Sequence, residues 1–145
     1  MRKWNLLLLG GVLLGSVLAG QVFVNAQNTE YQAPNSKLAV VWTSGDADVA
    51  HKMCFMYTNA AKTSKWFDEV TLIVWGPSSR ILAGDEKLQK EIKRMIDNGV
   101  AVKACVVCAN MYGVTDKLRQ LGIEVKGMGR PLSEMLKSDW KVLTF

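Results

Sequence analysis

The sequence predicts one small doubly wound α/β domain: a mostly parallel sheet of about five strands flanked by helices. Three observations carry this expectation. Short apolar runs rich in β-branched residues recur along the chain, and stretches with helical spacing of apolar residues separate them. Strands alternating with single helices are βαβ units, which require parallel pairing through right-handed crossovers. Only residues 37–145 carry the pattern, which leaves no room for a second domain.

The first run, Lys37–Thr43, reads as a buried strand. Ser44-Gly45-Asp46 follows as a loop, with Asp46 able to cap a helix in which Val49, Met53, Met56, Tyr57 and Ala60 recur as far as about Lys62. The second run, Glu69–Trp75, stops at Gly76-Pro77, and a short connecting turn is expected around Arg80–Ala83. Asp85 then caps a clear amphipathic helix with the stripe Leu88, Ile92, Met95 and Ile96, closed by Asn98-Gly99. A third strand is expected at Val100–Val106. Thr115 is expected to cap a helix through Leu121, and Ile123–Lys126 alternates as a fourth strand. Pro131 opens a helix over Leu132–Lys137, and Trp140–Phe145 reads as the last strand.

Residues 1–26 stand apart from this pattern. Arg2 and Lys3 precede an uncharged apolar stretch, Leu6–Gly20, and Val24-Asn25-Ala26 ends in the small residues a signal peptidase reads. The segment is read as an export signal. The alternative is a retained anchor, since residues 4–24 are just long enough to span a bilayer of about 30 Å. Either way the working protein is exported, with a periplasmic location expected and contact with the membrane only through residues 4–24. Residues 27–36 are polar and aperiodic, a tether. The whole chain has 145 residues and a formal net charge of +5. Without residues 1–26 it has 119, and the loss of Arg2 and Lys3 lowers the charge to +3.

That modest surplus does not make a nucleic-acid protein. Lys87, Lys90, Lys93 and Arg94 are interleaved with Glu86, Glu91 and Asp97, which describes a solvated helix face. Neither Gly76-Pro77-Ser78-Ser79-Arg80 nor Gly127-Met128-Gly129-Arg130 matches a nucleotide-binding fingerprint, so no cofactor is expected. A zinc centre needs about four ligands, and only His51 and Cys54 would be available beside the remaining cysteines, so no metal is expected.

The sharpest chemical feature is Cys105-Val106-Val107-Cys108 at the carboxyl end of the third strand, the end at which open α/β sheets place their ligand sites. Spacing of i and i+3 lets two sulfurs meet, or lets one thiol support the thiolate of the other, and the thiolate is the form that attacks sulfur. The bland alternative is a pair of small buried residues. His51, the single histidine, precedes Cys54 by one turn; it is a candidate base, or an ordinary half-exposed helix residue. Cys54 reads as packing. Ser44, Gly45 and Asp46 form a candidate binding turn after strand one, on weak grounds.

Taken in order, several segments resemble the DsrE/DsrF-like family across nearly all of residues 37–145. They are Thr43-Ser44-Gly45-Asp46, Trp66-Phe67-Asp68-Glu69-Val70, Trp75-Gly76-Pro77-Ser78, Cys105-x-x-Cys108-Ala109 with Tyr112-Gly113, and Gly129-x-Pro131-Leu132 through the ending Trp140–Phe145. The resemblance implies a small doubly wound fold and a homo-oligomer, often a trimer or hexamer. In the sulfur-trafficking members it also implies a persulfide-carrying cysteine eight residues before a glycine. Cys105 stands in that relation to Gly113, so it inherits the carrier role, with Cys108 a candidate resolving thiol and His51 a candidate assistant. The partners implied are a protein that donates or accepts sulfur, or a small thiol. Trafficking members are cytoplasmic, whereas this chain carries an export signal. Thiol–disulfide exchange and an oligomeric binding module with a structural CxxC remain the alternatives.

Overall fold

The computed structural model describes residues 35–145. The segment read as a signal or anchor, residues 1–26, and residues 27–34 of the tether lie outside the described residues. Five strands form one all-parallel sheet: β1 (Lys37–Trp42), β2 (Glu69–Val74), β3 (Ala101–Cys105), β4 (Glu124–Lys126) and β5 (Lys141–Thr144), in the order β4-β3-β2-β1-β5.

The helices follow from this order. The first helix runs from α1 (Ala47–Val49) through a π-helical segment, Ala50–Phe55, into α2 (Met56–Thr63). Next come α3 (Pro77–Gly84) and α4 (Glu86–Asp97), then α5 (Val106–Met111) and α6 (Thr115–Gln120), and finally α7 (Gly129–Leu136). From β1 to β4 the chain steps one strand at a time in a single direction. Right-handed crossovers therefore put every helix up to α6 on one face. The β4–β5 connection returns past three strands to the far side of β1, so α7 falls on the opposite face.

Period-two alternation of the strands feeds two cores accordingly. Leu38, Val40 and Trp42 of β1 join Leu72, Val74, Phe55, Leu82, Leu88, Ile92 and Leu118 on the well-covered face. Ala39 and Val41 join Ile73, Cys105, Met128 and Met135 on the face covered by α7. The caps read from the sequence form: Asp46 accepts hydrogen bonds from the backbone N–H groups of Asp48 (2.7 Å) and Val49 (3.3 Å), and Asp85 from those of Lys87 (2.8 Å) and Leu88 (3.1 Å). Gly99, at φ +87°, takes the left-handed turn that lets α4 feed β3.

Most strands are shorter by a residue at one or both ends than the sequence expectation, and four differences have a clear local reason. The turn expected around Arg80–Ala83 is part of the full helix α3, started by Pro77 at its first position, where the missing N–H costs nothing. The third strand ends at Cys105, because the β-branched pair Val106-Val107 prolongs an apparent strand pattern while the backbone has already turned helical. Thr115 is the first residue of α6 and not its cap; its hydroxyl donates to Asn110 Oδ1 at 2.6 Å. Helix α7 starts at Gly129, with Pro131 inside its first turn.

The central strand sets the stability. Leu72 is fully buried, whereas Leu136 is 62% exposed. Leu72→Ala is expected to cost about 2–5 kcal/mol in urea unfolding, and Leu136→Ala to stay within about 0.5 kcal/mol of the parent.

Candidate functional site

Parallel strands bring all their carboxyl ends to one edge, and three connecting segments meet there. At the end of β1, Thr43 is held by the chain terminus: its backbone N–H donates to the Phe145 carbonyl at 2.7 Å and its hydroxyl to the same oxygen at 2.8 Å. At the end of β2, the buried Ser78 hydroxyl donates to the Trp42 carbonyl at 2.6 Å and accepts from the Trp75 N–H at 3.0 Å. A single hydroxyl thus ties the ends of β1 and β2 together. A Cβ placed on Gly45 would come within 3.2 Å of Pro77 Cβ, so the loop after β1 sits against the start of α3. Gly76, at φ +73°, is the residue that lets the chain turn from β2 into α3.

The cysteine pair completes this edge. Cys105 is the last residue of β3, 4% exposed, with its side chain in the α7-covered core. Cys108 is the third residue of α5, half-buried, and packs against the same core. Both thiols are free, and Cys105 and the backbone N–H of Gly76 lie near enough to Cys108 to act on its charge. Burial is the largest influence on Cys108 and raises its pKa, and the neighbouring Cys105 raises it further. The N–H groups of Gly76 and of Cys108 itself pull the other way.

The other sequence-predicted residues stand as follows. Ser44, Gly45 and Asp46 lie at the same edge, but their polar groups serve the backbone. Ser44 Oγ accepts from the Asp46 N–H at 3.1 Å, and Asp46 caps α1. His51 lies in the π-helical segment, in the helical layer on the sheet face away from the Cys105 side chain, with Nδ1 2.7 Å from Glu91 Oε1 of α4. The structure does not bring it to the cysteines. Cys54 is fully buried in the larger core, and burial pushes its thiol up to about 12, against the pull of a Thr58 hydrogen bond.

Sequence reasoning used Gly76 and Ser78 as marks of the resemblance but did not single them out as site residues. The only available signal was a Gly-Pro-Ser sequence at a strand end. Among the described residues, no group of three or more His, Cys, Asp or Glu side chains is arranged to hold a metal ion. A cleft of about 590 Å³ between α4 and α6, lined in part by Lys90, Lys93, Ile96 and Leu121, shares no residue with this edge.

Comparison with known proteins now decides the family. The sequence pattern of the DsrE/DsrF-like family matches residues 36–145. The chain belongs to the DsrE/DsrF-like family. A solved structure of BT1422 from Bacteroides thetaiotaomicron, described as a conserved protein of unknown function, is 35% identical, with a TM-score of 0.74 over 79% of this chain and 99% of that one. The ychN protein from E. coli shares the fold at 18% identity and a TM-score of 0.60, over 76% of this chain and 99% of its own. No curated protein matches. In this DsrE-like chain, as the sequence led one to expect, the domain is a parallel α/β sheet with the CxxC at the end of its third strand.

The thiols should separate by reactivity. With Ellman's reagent at pH 8, the native protein is expected to react at the Cys105/Cys108 pair, beginning with the more exposed Cys108, and to release the Cys54 signal only on unfolding. Because the folded-state pKa of Cys54 is raised from 9.0 to about 12, the folded form keeps a proton that the unfolded chain loses. Its contribution to stability is complete below pH 9 and disappears as the pH rises toward 12, which urea titrations across that range would show.

Proposed function

We propose that this DsrE-like protein handles sulfane sulfur through a persulfide on the Cys105/Cys108 pair. The observation that carries the reading is the pair itself: two free, neighbouring thiols at the carboxyl edge of a parallel sheet, with the Gly76 N–H near Cys108. Membership of a family linked to sulfur relay supports it.

In this reading the Cys105 thiolate attacks the outer sulfur of a donor. The donor's S–S bond breaks, its electron pair leaves with the remainder of the donor, and Cys105 carries the sulfur as a persulfide. Transfer to an acceptor thiolate returns Cys105 unchanged. Alternatively Cys108 attacks Cys105 Sγ, which forms the intramolecular disulfide and expels hydrosulfide; an external dithiol must then reduce the bridge before another turn. His51, held by Glu91, stands outside these steps.

The same reading takes the protein to be exported, on the strength of the pattern in residues 1–26, and homo-oligomeric. Three exposed apolar side chains beside the cysteines, Val107, Met111 and Tyr112, support assembly. Its partners are a donor or acceptor protein or a small thiol.

Intact-mass measurement after exposure to a sulfane donor tests the chemistry. The wild type is expected to gain about 32 Da, the mass of one sulfur atom. Cys105→Ser should gain nothing. Cys108→Ser should hold the added sulfur longer, because intramolecular discharge is removed. Thiol–disulfide exchange alone would give a disulfide and no mass gain, and the absence of any adduct on any cysteine overturns the proposal.

A further inference from the structure

The β3–β4 pairing places Lys103 beside Glu124 and Cys105 beside Lys126. Alternation puts these four side chains on one face, the one that receives Cys105. Among the described residues α7 is the only helix on that face, and it packs through Leu132 and Met135 toward the β1 side of the sheet. The charges at the β3–β4 edge therefore stay partly open: the side chains of Lys103, Lys126 and Glu124 are 24%, 40% and 52% exposed.

Charge is not balanced in this group. Glu124 bonds Lys126 Nζ at 2.6 Å and reaches Lys103 Nζ only at 3.7 Å. The hydrogen bond from Lys126 holds the Glu124 carboxyl below the usual carboxylate range, so it remains ionised. One carboxylate between two ammonium groups leaves a surplus positive charge. An exposed ion pair of this kind is worth only about 0–1 kcal/mol in stability, so a second lysine adds little to the fold. It stands, however, two residues from a cysteine on the same strand and face, with the other lysine directly across from that cysteine.

We propose that Lys103 and Lys126 form, with Cys105, a subsite for a small anionic sulfane-sulfur donor, of which thiosulfate is the simplest. The inference rests on the sulfur-handling reading and names its substrate class. The oxyanion end is held at the two ammonium groups, and only the outer sulfur needs to reach the 4%-exposed Cys105. The thiolate attacks that outer sulfur, the bond to the central sulfur breaks, and sulfite departs with the electron pair. Total charge is conserved, and the cysteine gains one sulfur atom. The developing negative charge on sulfite is what the lysines stabilise, and such fixed charges act most strongly where charge grows during the reaction.

The test compares two donors, read by mass on the peptide carrying Cys105 and Cys108. Thiosulfate is anionic. Elemental sulfur is neutral, and the thiolate opens its ring without releasing an anion. Lys126→Gln and Lys103→Gln are each expected to slow loading from thiosulfate by about tenfold, while loading from elemental sulfur changes by less than about twofold. Lys126→Arg, which keeps the charge, should restore the thiosulfate rate, and high salt should lower that rate in the wild type. Equal effects of the lysine substitutions on both donors, or no effect on either, overturn the subsite. So does loading from elemental sulfur without loading from thiosulfate, which leaves the cysteine reading intact. If neither donor loads the wild type, both proposals fall together.

Discussion

A parallel strand pair can be joined only by a crossover, and crossovers are right-handed. In this chain that constraint, applied to the strand order β4-β3-β2-β1-β5, decides the rest. Three successive steps in one direction stack the helices up to α6 on one face, and the single return stroke leaves only α7 for the other. The carboxyl ends of β1, β2 and β3 consequently share an edge at which Gly45 meets Pro77 and Gly76 meets Cys108. The uneven covering leaves Lys103, Glu124 and Lys126 in the open on the face that holds Cys105.

Within that frame a single hydroxyl does a large share of the positioning. Ser78 bridges the ends of β1 and β2 from inside the core, and the turn it fixes directs the Gly76 N–H to the Cys108 sulfur. A buried hydrogen bond contributes about 1 kcal/mol net, but orphaning its partners costs up to about 3 kcal/mol, so the turn is held more firmly than its few bonds suggest. Tension is visible nearby. Trp42 Nε1 and the Ser79 hydroxyl are buried without a hydrogen-bond partner, next to the stitched strand ends.

Much of the fold was legible because its signals are local. Leu88, Ile92 and Met95 at helical spacing, the Asp46 and Asp85 caps, and the apolar runs of β1 and β2 each announce themselves within a dozen residues. Helix α3 was obscured because its apolar residues, Ile81 and Leu82, are adjacent and form no stripe; its best signal was Pro77 after a strand. The end of β3 was blurred by Val106 and Val107, whose branched side chains suit a strand, while burial of Ala109 in the larger core favours the helix. The CxxC stood out as a candidate site from its spacing alone. The partners of that site did not, since they depend on long-range register. Lys126 lies across from Cys105 only because β3 and β4 pair as they do, and Glu91 takes His51 from 40 residues away. The π-helical segment that carries His51 has no sequence signature of its own.

In the proposed reading the Cys105/Cys108 pair is a reactive site and not a staple. A staple would be redundant here: the domain already closes two cores around five strands, and Cys105 and Cys108 sit on directly consecutive elements. A bridge across so short a loop would also stabilise little through chain entropy. The decisive measurement is the reduction potential of the pair, obtained by equilibrating the protein in graded dithiol redox buffers and counting alkylated cysteines by mass. A reactive pair is expected to lie above about −300 mV, within reach of biological thiols. A value well below that figure would mark a structural disulfide and contradict the proposed reading.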